Sequence, residues 1–500
     1  MALLPASVLI ADPSSEWMKL AVPLVLQQDL SATHNTVTTV VEASTDAYQS
    51  NSADVVQTTV ELRRGHLRTE GTLTDLSTQR TRDVFVVNGN ASGFITGLND
   101  LAQRIDPQST PFSTKNEAAL QAYVEALVSA TPNARIAALQ KAIGFDPAFG
   151  LAYLAEAQVE TNPQASAQIL ANATSHRAQF SPLDRARLDS FEKRALHAPL
   201  TQQASATQAL LNLTPNDVEA MTLLGSERFL LGDASNGERL LRRALSLNPD
   251  NLSIRQQLSL GLLETKQFDA AEKTLAGLEG NPSVLPELAV CALLKGDLAR
   301  ANTLFGHYVD LLQASNDQAA PLSHANWFAI TQSPAKAADY LAQSKFSSPD
   351  IQSVAQSQSA IYALMDGNTT AAKASASAAL RTAAAPVAKT FALVAALTAQ
   401  SDVKAAPLDS GAKNLILAYG LFFQKQYAES AEHWKEIVKG SGDTDLRSRA
   451  MLASASNHAG RAQEAEAVHV QPFVPNLTGG DEFAAVAFQE MRKLLKLQMQ

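Results

Sequence analysis

Cysteine is almost absent: Cys291 is the one such residue in a chain of 500. No disulfide framework can close within one chain, and no multi-cysteine metal centre can form. Aromatics are 6% and charged residues 18%. No run of about 18 uninterrupted apolar residues occurs, so the sequence offers no transmembrane helix. Basic charge is also scarce, with Lys+Arg 40 against Asp+Glu 49, a net charge of −9 and a pI near 5.6. That balance argues against nucleic acid as a partner. At 46% hydrophobic, with 23 glycines and 21 prolines, the chain is neither disordered nor collagen-like.

Catalytic signatures are missing too. There is no glycine-rich loop ending in Gly-Lys-Ser/Thr, no Gly-x-Gly-x-x-Gly, no His-Glu-x-x-His and no Gly-x-Ser-x-Gly. Gly89-Asn90-Ala91-Ser92-Gly93 has its serine at the wrong place for a nucleophile elbow and reads as a loop with a helix N-cap. The nine histidines are scattered, with no pair at helical ligand spacing. Cys291 sits in Leu288-Ala289-Val290-Cys291-Ala292-Leu293, which reads as a buried, inert thiol. The expectation is a chain that is not an enzyme and carries no cofactor and no metal.

Met1 to Pro13 has no basic leading segment, and Pro5 and Asp12 break its apolar stretch, so it does not read as a signal peptide. A removed leader upstream stays open.

Residues 1–106 are rich in Val and Thr, which suit a half-buried pleated surface. Val8–Ala11 reads as a strand, Trp17, Leu20, Leu24 and Gln28 lie at helical spacing, and Pro23 must kink or start that helix. Thr36–Val41 reads as a second strand. Val56, Thr58, Val60 and Leu62 share one face of the clearest alternation in the chain. Arg64-Gly65 turns it into a returning strand through Leu67, Thr69, Gly71 and Leu73. Asp83–Val87 adds a last strand. Phe94, Leu98, Leu101 and Ile105 mark a closing amphipathic helix. The expected order is β-α-β-β-β-β-α. Arg63, Arg64, His66, Arg68, Arg80 and Arg82 gather around these hairpins. They read as solvation of exposed strand faces, with an anion site as the other reading.

From about residue 115 alanine, leucine, glutamine and serine dominate. Pro147, Pro182, Pro215, Pro249 and Pro282 recur at about 34 residues, the length of one helix-turn-helix repeat. Proline there ends one helix and is tolerated at the start of the next. Small residues fall where two helices would cross: Ala142, Gly225, Ala244, Ala301, Ala431 and Ala465. Gly232-Asp233 and Gly296-Asp297 supply inner turns. Ala371–Ala406, with Pro386 and Pro407 about it, reads as tightly packed helices rather than a linker. Phe483–Gln500 is amphipathic and reads as a helix closing the exposed end of the array.

These residues resemble the tetratricopeptide repeat family, most closely over 216–310 and 115–160, then 412–470, and least over 160–215 and 311–411. The resemblance implies a mostly α, superhelical solenoid of eight to ten hairpins behind a small α/β (α+β) domain. Ala53–Ile105 also resembles the small amino-terminal domain of TolB-type proteins. The hairpin Val56–Leu76, the turn Asp75-Leu76-Ser77-Thr78, Asp83-Val84-Phe85 and the helix Leu98–Ile105 carry that likeness. It implies a bacterial chain with a non-catalytic interaction or sensing module in front. The expected layout is 1–106 for that domain, 115–310 for repeats, 311–411 for degenerate repeats, and 412–500 for terminal repeats with their closing helix.

First helices of tetratricopeptide solenoids line a groove. Aligning Gly225, Ser259 and Ala289 at the helix-crossing position implies groove residues Thr222, Ser226 and Phe229, then Gln256, Leu260 and Leu263, then Val290 and Leu293. The family's lysine-asparagine-arginine clamp is missing from these positions, so a chain-terminal carboxylate is not expected there. The expected function is a protein-protein interaction scaffold that binds a protein or peptide partner. The alternative is the sensor region of a bacterial signalling protein with a small-molecule-binding front domain. The TolB-like resemblance and a composition rich in Gln, Ser and Thr point to the periplasm, and the missing leader to the cytoplasm.

Overall fold

A computed structural model describes the chain except for residues 35, 51, 91–92, 401–407, 478–480, 482 and 497–500. Ala91 and Ser92 of the predicted N-cap loop, Pro407 with the end of the alanine-dense stretch, and the last residues of the predicted closing helix lie outside the described residues. The rest divides into two compact units, one of residues 1–227 and 243–250, the other of 228–242 and 251–500.

The first unit opens with a six-stranded sheet of β1 (Ala2–Leu3), β2 (Ser7–Leu9), β3 (Thr39–Val40), β4 (Asp54–Arg63), β5 (His66–Asp75) and β6 (Arg80–Asn90). The spatial order is β3-β1-β4-β5-β6, with β2 also beside β4. β1 and β2 both run parallel to β4, at Leu3↔Val56 and Ser7↔Thr59. Three residues, Leu4 to Ala6, thus stand against Gln57 and Thr58, and Pro5 among them has no N–H to give a ladder. The expected alternation in β4 holds for Val56, Thr58 and Val60, which are buried, but not for Leu62, which is 47% exposed near the end of the strand. Two elements went unforeseen, β1 and the helix α2 (Ser44–Gln49). Both are too short to show a period.

Helix α1 (Met18–Leu30) runs straight through Pro23. A proline there frees the carbonyl of Lys19, four residues back. The N–H of Ala6 takes that carbonyl at 3.1 Å, so the gap in the helix ties the first strands down. Helix α3 (Phe94–Ile105) closes this part as expected, burying Phe94, Leu98 and Leu101. The arginines around the hairpins are largely paired. Arg68 binds Glu61 at 2.7 Å and also Glu70, Arg63 binds Glu61 at 2.9 Å, and Arg82 binds Asp54 at 2.8 Å. Glu61 lies directly opposite Arg68 in the ladder, a favourable cross-strand pair. Arg63, Arg68 and Arg82 thus form ion pairs along the strands.

Helical hairpins follow. In and across the first unit they are α4 (Glu117–Val128) with α5 (Pro132–Phe145), α6 (Gly150–Val159) with α7 (Pro163–His176), α8 (Pro182–Ala195) with α9 (Leu200–Leu213), and α10 (Val218–Leu230) with α11 (Ala234–Leu247). The unit division runs through α10 and α11. The second unit continues with α12 (Leu252–Glu264) and α13 (Phe268–Thr274), α14 (Leu285–Lys295) and α15 (Leu298–Ala314), and α16 (Ala320–Thr331) and α17 (Pro334–Gln343). Then come α18 (Pro349–Met365) and α19 (Thr369–Thr382), the single helix α20 (Pro386–Gln400), α21 (Ser410–Phe423) and α22 (Tyr427–Gly440), and α23 (Leu446–His458) and α24 (Ala462–Ala467). First helices open at 117, 150, 182, 218, 252, 285 and 320, close to the tetratricopeptide period of about 34 residues. The fold is a tetratricopeptide-like stack of helical hairpins with a small strand-containing region in front.

Turn chemistry explains the hairpins. Gly296 has φ +95°, its N–H reaching Leu293 O at 3.1 Å while Asp297 N–H reaches Ala292 O at 2.9 Å. This double closure of a helix end needs a left-handed residue. Gly367 and Gly460 repeat it. Lys266 and Lys425 make the same closure with φ +59° and +62°, a conformation that costs a residue with a Cβ about 1–2 kcal/mol. The alanine-dense stretch forms α19 and α20, with a break at 383–385, and its Ala376, Ala395 and Ala396 pack closely with Ala360 of α18.

Two features of packing depart from expectation. First, the front sheet and the opening hairpins share one core: Leu26, Val56, Phe94 and Leu98 belong to the same buried cluster as Leu120, Leu139, Phe149 and Ala152. Second, the last helix, α25 (Ala484–Leu494), is not an end cap. It buries Val486, Phe488, Glu490 and Met491 and packs against both α16 and α23. Gln489 Nε2 donates to Ala329 O at 2.7 Å, and Arg492 reaches Ile330 O at 3.3 Å. The extended segment before it also returns to the start of the unit. Gln471 Nε2 donates to Phe229 O at 2.7 Å, and His469 lies against Gly232. Arg449 of α23 donates to Leu230 O at 2.9 Å. The second unit therefore closes on itself. An amphipathic pattern read alone gives a helix one buried face, whereas α25 is covered on nearly every side.

Candidate functional site

The groove residues implied by the resemblance scatter in burial. In the first unit Thr222 and Ser226 are half-buried, and their hydroxyls donate to Val218 O at 2.7 Å and Thr222 O at 3.1 Å. In the second unit Gln256 and Leu260 are half-buried, and Gln256 Nε2 donates to Ser283 O at 3.3 Å. Phe229 is 2% exposed and Leu263 0%. Val290 and Leu293 are buried as well. These last four are core, not lining. On α12 the reason is phase. The small residue at the crossing there is Gly261, where an added Cβ would meet the Phe229 ring. Ser259, two residues earlier, had been aligned there.

An open cleft lies elsewhere, within the first unit, with a volume of about 460 Å³. Gln27, Gln28 and Ser31 at the end of α1, and the segment Thr36–Thr38 leading into β3, form one wall. Leu151, Leu154 and Gln158 of α6 face them, with Arg187, Ser190, Phe191 and Arg194 of α8 and Val218, Glu219 and Leu223 of α10. Asn216 fixes the two walls together: its Nδ2 donates to His34 O at 2.8 Å and Thr33 O at 3.2 Å, while Arg243 holds its Oδ1 at 2.9 Å.

Electrostatics in the cleft is mixed. Arg194 donates to Ser190 Oγ at 2.8 Å and stands 3.9 Å from Glu227, which accepts from Thr207 at 3.1 Å. Arg187 has one long contact, to Ser31 Oγ at 3.5 Å. Burial lowers the pKa of both guanidinium groups; Asp184 most of all opposes that shift at Arg187, and Glu227 at Arg194. Beneath Arg187, burial pushes the Asp184 carboxyl up to about 6. Gln28 Oε1 is buried with no hydrogen-bond partner among the described residues. Chemically the cleft offers amides and hydroxyls that donate and accept, a leucine-lined floor and two arginines. Among the described residues no group of three or more His, Cys, Asp or Glu could hold a metal ion. Cys291 is buried, and burial raises its thiol pKa.

Sequence reasoning missed this site. Arg187, Ser190, Phe191 and Arg194 fall at helical spacing on one face of α8, a signal that was present. They lie in 160–215, where the family resemblance is weakest.

No protein-family model matches the chain, and no curated protein does. Among solved structures the chain is similar to the APC/C hetero-tetramer Cut9-Hcn1, with 13% identity, 80% of this chain and 82% of that one covered, and a TM-score of 0.32. It is also similar to the human IFIT1 dimer with PPP-AAAA, with 16% identity, 70% and 89% covered and a TM-score of 0.29. A third is Naa15/Naa10 bound to HypK-THB, with 12% identity, 71% and 68% covered and a TM-score of 0.24. Likenesses this distant support no inference about ligands or partners.

Proposed function

We propose that the chain is a non-enzymatic protein-interaction scaffold and that the cleft of the first unit receives a peptide segment of its partner. The observation that supports this reading is the cleft itself. Its volume falls in the range of ligand sites, about 300–1,000 Å³, and its walls come from the front sheet region on one side and hairpin helices on the other. Side chains such as Gln27, Gln28 and Gln158 carry a donor and an acceptor each, which suits an extended peptide backbone. The leucines supply apolar contact for alternate side chains.

The TolB-like reading of the front region, a bacterial source and a periplasmic location belong to the same proposal. So does the second reading, a small-molecule sensor, which the front-domain wall of the cleft favours. Affinity capture with the full chain beside a Gln158→Trp variant, which fills the exposed rim, separates the two. The scaffold reading expects protein partners recovered by the native chain and lost with the variant. Identical partner sets, or none at all with a stable monomer, would count against it.

A further inference from the structure

The least satisfied charged group in the cleft is Arg187. A guanidinium carries five N–H donors, and here one long contact to Ser31 Oγ at 3.5 Å is its hydrogen bond. Asp184 is the carboxylate that acts most strongly on it, followed by Asp217, and neither is hydrogen-bonded to it among the described residues. Asp217 caps α10, accepting from Ala220 N–H at 3.0 Å. Asp184 is buried one turn back on α8, with Oδ2 unpartnered. Glu219 is exposed at the rim. Among the described residues none of the three forms an ion pair with Arg187. Arg194, two helical turns along the same face, spends one nitrogen on Ser190. A half-buried cation with one long hydrogen bond, whose neighbouring carboxylates act on it only through space, gains from a group that pairs with it directly. The planar donor face of arginine matches the two oxygens of a carboxylate or phosphate.

We infer that Arg187 anchors an oxyanion in the cleft, with Arg194, Ser31 and Ser190 beside it. The oxyanion is a carboxylate or phosphate borne by whatever molecule occupies the cleft. This rests on the cleft being the binding site, and it places the anchor on α8, away from the groove positions implied by the repeat resemblance. Gln side chains around it then orient the uncharged remainder of the ligand.

The test uses the full chain and simple anions, so it does not depend on knowing the partner. Thermal unfolding is followed in inorganic phosphate and in succinate, each against chloride at equal ionic strength. A saturable rise of about 2–4 °C over chloride is expected from phosphate, succinate or both, and which of them acts tells the phosphate from the carboxylate source. Arg187→Met abolishes the rise and, in chloride alone, melts no lower than the native chain. Arg187→Lys keeps the charge but not the two-pronged face, and weakens the apparent affinity at least about fivefold; it stands in if the Met variant does not fold. No rise beyond chloride with either anion, or an equal rise in the Arg187 variants, overturns the inference. An anion response with no protein captured would leave this site standing and remove the scaffold reading.

Discussion

The two units cover their helical hairpins in opposite ways. The first borrows a sheet: α1, α3 and the buried faces of β4 and β5 merge with α4, α5 and α6 into one core. The second borrows its own tail: the segment 468–477 and α25 reach back to Phe229, Ala329 and Ile330. Covering by a sheet leaves a polar cleft between unlike surfaces. Covering by a helix of the same chain leaves a packed interior, in which Phe488 and Met491 are fully buried and Phe473 stands edge-on to Phe488 at 6.0 Å. What the difference teaches is that a repeat array by itself does not say which of its surfaces stays available. The segments outside the repeats decide that.

The comparison can be broken most severely at its covers. Removing residues 1–110 strips the first unit of much of its shared core, so α4–α6 are expected to lose cooperative unfolding and protease resistance while 251–496 stay protected. Limited proteolysis read by mass spectrometry checks this. Equal protection of α4–α6 with and without the sheet would make the front region an independent domain. Next in size are single large-to-small changes. Phe94→Ala and Phe488→Ala each remove a fully buried ring, and each is expected to cost about 3–5 kcal/mol. Denaturant unfolding, with exchange mapping, should place the first loss in residues 1–227 and the second in 251–496.

A smaller, pH-dependent effect follows from Asp29. Its side chain is buried, neither carboxyl oxygen has a hydrogen-bond partner among the described residues, and burial raises its pKa from 3.8 to about 8. The folded state then holds a proton that the unfolded chain releases above about pH 4. Stability contributed by this group is greatest below pH 4 and falls as pH rises to about 8. Asp29→Asn should be more stable at pH 7 by about 2–4 kcal/mol, with a flatter profile between those limits. In the second unit burial likewise raises Glu264 to about 8 and Glu287 to about 7. A destabilised Asn variant at pH 7 would show that Asp29 is charged and paired. The smallest effect sits in the turns. Lys266→Gly should gain about 0.5–1 kcal/mol by relieving a left-handed residue, and an equal or negative change would place the strain elsewhere.

Much of this was legible in the chain. Proline recurrence gave the period because each proline marks where one helix must stop, and Gly232, Gly296, Gly367 and Gly460 gave turns because the closure needs a positive φ. Val56, Thr58 and Val60 gave a strand face. Other features were not local. Gly261 and Ser259 are both small, and the crossing partner Phe229, 32 positions back from Gly261, decides between them. A shared core between Leu26 and Leu120 leaves no periodic trace, since each helix shows the same apolar stripe whatever covers it. The return of α25 to α16 joins residues such as Gln489 and Ala329, 160 apart, and amphipathicity does not name a partner. Arg187 and Arg194 read as ordinary solvated charges until α1 and the Thr36–Thr38 segment are set opposite them.

Hydrogen–deuterium exchange of the intact chain, read at peptide resolution, tests the central claim most directly. The account predicts that 484–494 exchanges as slowly as the core helices α14 and α18, while Thr36–Thr38 at the cleft exchanges orders of magnitude faster. A slow cleft wall together with a freely exchanging terminal helix would contradict it, and would move the available surface from the first unit to the second.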